Sequence, residues 1–283
     1  MVFTHSTASG GTNKQGALAV VRMGAKQSSY GNAFGSMPYG DGTNQLTSNR
    51  TVARTYALNN HPGGLSVLGK HVYVAQWCQP HGNLDWCVEN SWNTRGFGFS
   101  VYDVSNASSG ANPLELAYRH VWGERWITDT STASVAAVKL DNGQYLVALG
   151  SSGGQRYGFY NASSPAGYFG FMNSFDFPLW GENANIVTDC ANGDLYMFQI
   201  EAHANSSDKV HVFKLVAKDF RIQAEWVKSR TFSCRGSTVY DGSNRWCNFD
   251  AGAGTYVTPN GNLLLYATDW HQIDGNIRMV EFR

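Results

Sequence analysis

The chain has 283 residues, with 21 Lys and Arg balanced by 21 Asp and Glu, so its formal net charge at pH 7 is zero. Phosphate neutralisation drives nucleic-acid affinity, and with no Lys/Arg cluster a DNA or RNA partner is not expected; no apolar run approaches the roughly 18 residues of a membrane span. Thirty-one glycines, nine tryptophans and a charged fraction of only 15% fit an all-β, loop-rich chain, and residues 1–283 are read as one domain.

In chain order, Val2-Phe3-Thr4 reads as the second strand of a partial unit and 17–21 as its third strand. No hairpin partner stands ahead of Val2, so this unit is expected to be incomplete at its N-terminal side. An outer strand follows at 51–57. The next unit opens at His61-Pro62-Gly63-Gly64, turns at Gly69, and continues with a third strand at 99–104 and an outer strand at 114–120. Asn142-Gly143 turns the next hairpin, followed by strands at 157–160 and 168–175. Asn192-Gly193 turns another, followed by 210–215 and 222–232. Asn260-Gly261 turns the last, followed by 277–282. Asn-Gly suits the two-residue type I′ turn whose twist matches antiparallel strands. Apolar strand, Gly-closed turn, strand, gap, alternating strand is thus one repeated unit, and the repeat predicts a five-bladed β-propeller with long inter-strand loops. The alternative is an open β-sandwich. The longest loops, 24–50, 77–96 and 233–250, are where function is expected to sit.

Cysteines and acceptor motifs point to a secreted, disulfide-permitting setting. Cys78 with Cys87 and Cys234 with Cys247 would each close one surface loop, leaving Cys190 as a small buried hydrophobe at a hairpin turn. No Cys-x₂-Cys spacing favours zinc. Asn49, Asn106, Asn161 and Asn205 each begin an Asn-x-Ser/Thr sequon.

Two hairpins carry the same acid-x-His pair at the same offset from the turn glycine: Glu201 and His203 after Gly193, Asp269 and His271 after Gly261. Equivalent positions in different blades share one face around the axis, so the pairs are expected to converge at the channel mouth. His5 and His61 are the further candidate ligands, and imidazole with carboxylate suits a divalent metal or a general base. Against this, a strand-end histidine can simply hydrogen-bond to loop backbone.

Tryptophans mark a second candidate. Trp77, Trp86 and Trp92 crowd one loop, and Trp122 and Trp126 flank Glu124 and Arg125. A sugar presents an apolar face that stacks on indole and a hydroxyl rim that needs Asp, Glu, Asn or Arg. Trp180, Trp226 and Trp246 are read instead as core. Glycoside hydrolysis needs two carboxylates about 5–5.5 Å or 6.5–9.5 Å apart; Glu182 and Asp250 stand at hairpin starts and join Glu201 and Asp269 as candidates. No Gly-x-Ser-x-Gly, His-Glu-x-x-His, phosphate loop or dinucleotide fingerprint occurs.

The segment Val101-Tyr102-Asp103-Val104-Ser105 is similar to the third-strand ending of bacterial propeller repeats typified by Leu-Val-Ile-Val-Asp. The resemblance implies a secreted propeller and transfers no functional residue. The expected role is binding of carbohydrate or a similar polar ligand; the alternative is a glycoside hydrolase or metal-dependent enzyme at the central channel.

Overall fold

The computed structural model describes residues 2–6, 16–22, 37–38, 44–46, 51–58, 61–77, 97–107, 112–121, 124, 126, 132–151, 154–181, 183–201, 208–232, 253–268, 276–277 and 279–282. The fold is all-β. β1 (Val2–Ser6) and β2 (Gly16–Arg22) are followed by the short β3 (Met37–Pro38), then β4 (Asn44–Leu46) and β5 (Thr51–Leu58); the first sheet has the order β1-β2-β5-β4. The second sheet runs in sequence through β6 (His61–Leu68), β7 (His71–Trp77), β8 (Phe97–Asp103) and β9 (Leu114–His120). The third does the same with β10 (Thr132–Lys139), β11 (Tyr145–Ser151), β12 (Arg156–Ala162) and β13 (Gly170–Asp176). The fourth comprises β14 (Asn183–Thr188), β15 (Leu195–Glu201), β16 (Asp208–Lys218) and β17 (Arg221–Phe232). Last come β18 (Ala253–Val257), β19 (Leu263–Thr268), β20 (Asn276–Ile277) and β21 (Met279–Phe282), with β18-β19-β21 as a three-stranded sheet and β20 paired to β3.

The predicted hairpins all form as antiparallel pairs, but the turn chemistry differs from expectation. A type I′ turn needs positive φ at both central residues, and the described non-glycine residues with positive φ are Asp219 and Phe220 alone. Those two form the two-residue turn between β16 and β17. Around Gly143 and Gly261 the loop has three residues, closed by Leu140 N–H to Gln144 O (2.8 Å) and Thr258 N–H to Asn262 O (2.8 Å). There the glycine alone takes the left-handed conformation, at φ 82° and 79°. Asn192-Gly193 ends a longer loop between Asp189 and Asp194, and Cys190 within it is free and exposed, not buried. A four-residue loop projects its side chains into solvent, which offers Cys190 no core to join.

The first unit also departs from expectation. Val2–Ser6 sits against β6, as the first strand of each later sheet sits against the first strand of the next, and β4 completes a fourth strand. Without a turn glycine, the sequence supplied no mark by which to number that unit. The expected third strand at 277–282 divides: β21 pairs with β19, while β20 leaves to pair with β3.

The core lies between sheets. β11 is buried almost throughout, because its side chains alternate between two neighbours. Val147 and Leu149 pack toward Tyr73, Phe97 and Phe99 of the second sheet, whereas Leu146 and Ala148 pack toward Ile186, Met197 and Phe213 of the fourth. Leu18, Val72 and Val74 fill the space between the first and second sheets. First strands follow one another in the order β1, β6, β10, β14, β18. At the outer edge, Asn173 of β13 donates from Nδ2 to Ile222 O (2.9 Å) and accepts from Ile222 N–H (2.9 Å), so one side-chain amide pairs with β17 as a backbone would.

Candidate functional site

Four sheets meet where their first strands begin. Thr4 Oγ1 donates to Gly63 O at 3.0 Å, a Cβ placed on Gly63 would lie 2.4 Å from Ala133 O, and one on Gly64 would lie 3.3 Å from Asn183 Oδ1. Backbone approach this close leaves no room for a side chain at Gly63 and little at Gly64. His61 is opposite Trp77, and His5 opposite Ala17, in backbone register. The side chains of His5, His61 and Trp77, and the whole of Glu182, His203, Asp250, Asp269, His271, Trp86, Trp92 and Trp122, lie outside the described residues, as do Cys78, Cys87, Cys234 and Cys247. Among the described residues no group of three or more His, Cys, Asp or Glu side chains could hold a metal ion.

Trp126 is described, and it is buried at 3% exposure. Its ring lies across Gly158, where an added Cβ would come 2.5 Å from Cε2. Its Nε1–H reaches Glu124 Oε2 at 2.7 Å and Tyr160 Oη at 2.9 Å, and the Tyr160 hydroxyl donates to the same Glu124 oxygen at 2.6 Å. Arg119 closes the network through an ion pair with Glu124 and stands 5.4 Å from the ring centroids of both Tyr160 and Tyr168. Burial, reinforced by Glu124, pushes the Tyr160 phenol well above its ordinary range, so it is a neutral donor. Indole expected to meet a ligand face-on is instead spent largely on the join between the second and third sheets.

Its edge still lines a cavity of about 300 Å³ with Arg156, Phe171, Ser174, Phe175 and Asp176. Arg156 and Asp176 face each other across β12 and β13 and form two parallel bonds, Nε to Oδ1 at 2.5 Å and Nη2 to Oδ2 at 2.8 Å. Those bonds hold the Asp176 carboxyl below the usual carboxylate range. Phe171, exposed, lines the cavity with this pair, which sets an aromatic face next to a charged rim.

Glu201 lies on the face of the fourth sheet turned toward the third. Its Oε2 is 2.8 Å from His211 Nε2 and 3.8 Å from Lys209 Nζ, an imidazole contact that the acid-x-His pattern did not point to. His211 is itself buried, and its Nδ1 lies 2.6 Å from Ser229 Oγ. Trp226, expected in the core, is 56% exposed because it sits on the outermost strand, and its Nε1–H donates to Ser229 Oγ at 3.1 Å. Gln199 precedes His211 in the same cross-strand row, fully buried, with neither amide atom hydrogen-bonded among the described residues.

Among the sequons, Asn106 is exposed after β8 and Asn161 half-buried within β12; Asn49 and Asn205 lie outside the described residues.

No family model and no curated protein sequence matches the chain. Among solved structures it is similar to an exo-β-1,3-galactanase from Phanerochaete chrysosporium bound to galactose, at 16% identity and a TM-score of 0.48, covering 83% of this chain and 48% of that one. It is also similar to a putative exo-β-1,3-galactanase from Bifidobacterium bifidum, at 14% identity and a TM-score of 0.44 over 88% of this chain and 92% of that one. An exo-β-1,3-galactanase from Clostridium thermocellum gives 14% identity and a TM-score of 0.43 over 88% and 63%. The chain thus spans about half the length of the first of these.

Proposed function

We propose that the five sheets of three or four strands are the blades of a secreted β-propeller that binds carbohydrate in the hollow lined by Trp126 and the third sheet. The reading is carried by the cavity of about 300 Å³ beside Phe171, rimmed by the Arg156–Asp176 pair and Ser174. Its volume stands at the small end of ligand pockets, suited to a single sugar residue. Phe171 offers the apolar stacking face, and the fork of Arg156 and the carboxylate of Asp176 offer hydroxyl partners in both hydrogen-bonding senses. Calorimetry against a panel of neutral oligosaccharides, including β-1,3-galactotriose, tests it. Binding weakened at least tenfold by Phe171→Ala and by Arg156→Ala is the expected result. Binding unchanged by both variants overturns the site, and no binding across the panel overturns the reading.

A second reading, a glycoside hydrolase, is supported by the meeting of first strands at Gly63, Ala133 and Asn183. Glu182 immediately precedes Asn183, and we propose it with Asp250, Asp269 and Glu201 as the carboxylates of such a centre, with His5, His61, His203 and His271 as ligands for a divalent metal. Release of reducing sugar that falls at least a hundredfold in Glu182→Gln, and stoichiometric metal in elemental analysis, are the respective expectations. Trp77, Trp86, Trp92 and Trp122 remain proposed as stacking residues of either site. Secretion is proposed from the sequons and tested by a mobility shift on enzymatic deglycosylation of the native material.

A further inference from the structure

Strands β15, β16 and β17 place Glu201, His211 and Ser229 in a line across the fourth sheet. His211 sits opposite Gln199 on one side and Ser229 on the other, and Glu201 projects from the same face two residues beyond Gln199. With the imidazole proton on Nε2, that N–H donates to Glu201 Oε2 at 2.8 Å, leaving Nδ1 to accept the Ser229 hydroxyl at 2.6 Å. A carboxylate, a buried imidazole and a hydroxyl hydrogen-bonded in this order form the relay by which a serine oxygen is activated. The base is 2% exposed, shielded from water, whereas the hydroxyl it would deprotonate lies at the surface.

A second feature concerns Trp226. Trp226 and Ser229 are an odd number of residues apart, so in a regular strand they would point to opposite faces. A register shift prevents this: Phe213 is opposite Trp226, Val212 is opposite Lys228, and Val227 is the extra residue. This bulge turns the indole onto the face of Ser229, where Nε1–H donates to Oγ at 3.1 Å. Bulges re-aim side chains in this way beside active sites. The N–H would stabilise negative charge developing on the oxygen, and the exposed ring gives an apolar substituent a surface on which to lie.

We propose that Ser229 is a nucleophile that cleaves small carboxylic esters with an aryl or alkyl group, His211 acting as its base and Glu201 positioning the imidazole. Ser229 Oγ bonds to the acyl carbon as its proton passes to His211 Nδ1. The adduct then collapses, the bond to the alcohol oxygen breaks, and that oxygen takes the proton from His211. Water repeats the sequence on the acyl-serine, releasing the carboxylic acid and restoring Ser229. No part of this site is shared with the proposed sugar hollow.

The test is labelling of the folded, full-length protein with a fluorophosphonate, in which the Oγ–P bond forms, fluoride leaves, and the serine proton goes to His211. Peptide mass spectrometry is expected to find the phosphonyl group on Ser229, with the rate at least a hundredfold lower in His211→Gln. With p-nitrophenyl acetate, Ser229→Ala is expected to abolish turnover, and Glu201→Gln to lower kcat at least tenfold at unchanged KM. An unlabelled Ser229 in folded wild-type protein overturns the proposal whether or not any variant folds. Labelling of Ser229 at an undiminished rate in folded His211→Gln overturns it equally.

Discussion

Two seams of the molecule look alike in outline and differ in how their polar groups are satisfied. Between the second and third sheets, Glu124, Trp126 and Tyr160 hydrogen-bond to one another, and Arg119 completes the charge balance. Between the third and fourth, Gln199 is fully buried with both amide atoms unbonded among the described residues, and its neighbour His211 bonds to Glu201 through Nε2 and to an exposed serine through Nδ1. The first seam joins a carboxylate, an indole and a phenol to one another, although Tyr73 Oη and Arg119 Nε stay unbonded there among the described residues, whereas the second sets a buried imidazole between a carboxylate and a surface hydroxyl. The first seam is the better candidate for stability and the second for chemistry.

The contrast can be broken at its strongest point by Trp126→Ala, which removes a buried ring from the first seam and is expected to cost about 3–5 kcal/mol in denaturant unfolding. A loss under 1 kcal/mol would mean that the seam is loosely packed. Next, two near-isosteric changes are expected to act with opposite signs. Tyr160→Phe removes one of the bonds held by each of Glu124 and Trp126, which keep each other, and is expected to cost about 1 kcal/mol, whereas Gln199→Met removes an unsatisfied amide and is expected to add about 1 kcal/mol. Equal signs in the two melts would abolish the distinction. Gly143→Ala, at φ 82°, is expected to cost about 1 kcal/mol by forcing a side chain into the left-handed region.

The smallest effect is a pH dependence at the first seam. Burial, with Arg119 adding to it, lowers the His120 pKa below its ordinary 6.5. The folded state therefore resists the proton that the unfolded chain accepts, and this contribution is present above pH 6.5 and lost as pH falls through the lowered value. Stability curves at pH 7 and pH 5 are expected to diverge slightly in wild type and less in His120→Asn.

Most strands were legible because hairpins announce themselves locally, through a glycine between two alternating segments. The loop lengths were not: Asn-Gly occurs equally at the second and third residues of a three-residue loop, and only hydrogen-bond register distinguishes that from a type I′ turn. Placement of the first unit failed for want of such a glycine. His211 stands between Val210 and Val212 in a strand of apolar alternation, where a histidine reads as core; its partner Glu201 was found by its offset from Gly193, an offset that carries no information on what lies across the sheet. Ser229 carried no signal of its own. The bulge that brings it to Trp226 adds one residue to a strand, and no residue type at Val227 announces it. Trp126 was singled out as a ligand-stacking residue, and composition could not say whether its N–H would meet a ligand or Glu124 and Tyr160.

The pairing of β3 with β20 has a kinetic side. Met37 and Pro38 find Asn276 and Ile277 across almost the entire chain, while the hairpins close over a handful of residues. Loop-closure entropy rises with the length enclosed, and contacts of such separation are made after the local ones. Two short strands cannot offset that cost alone, so this ribbon is expected to form last, once the sheets have brought the distant segments side by side. Refolding followed by hydrogen exchange is then expected to protect the amides of β11 and β15 early and that of Ile277 late.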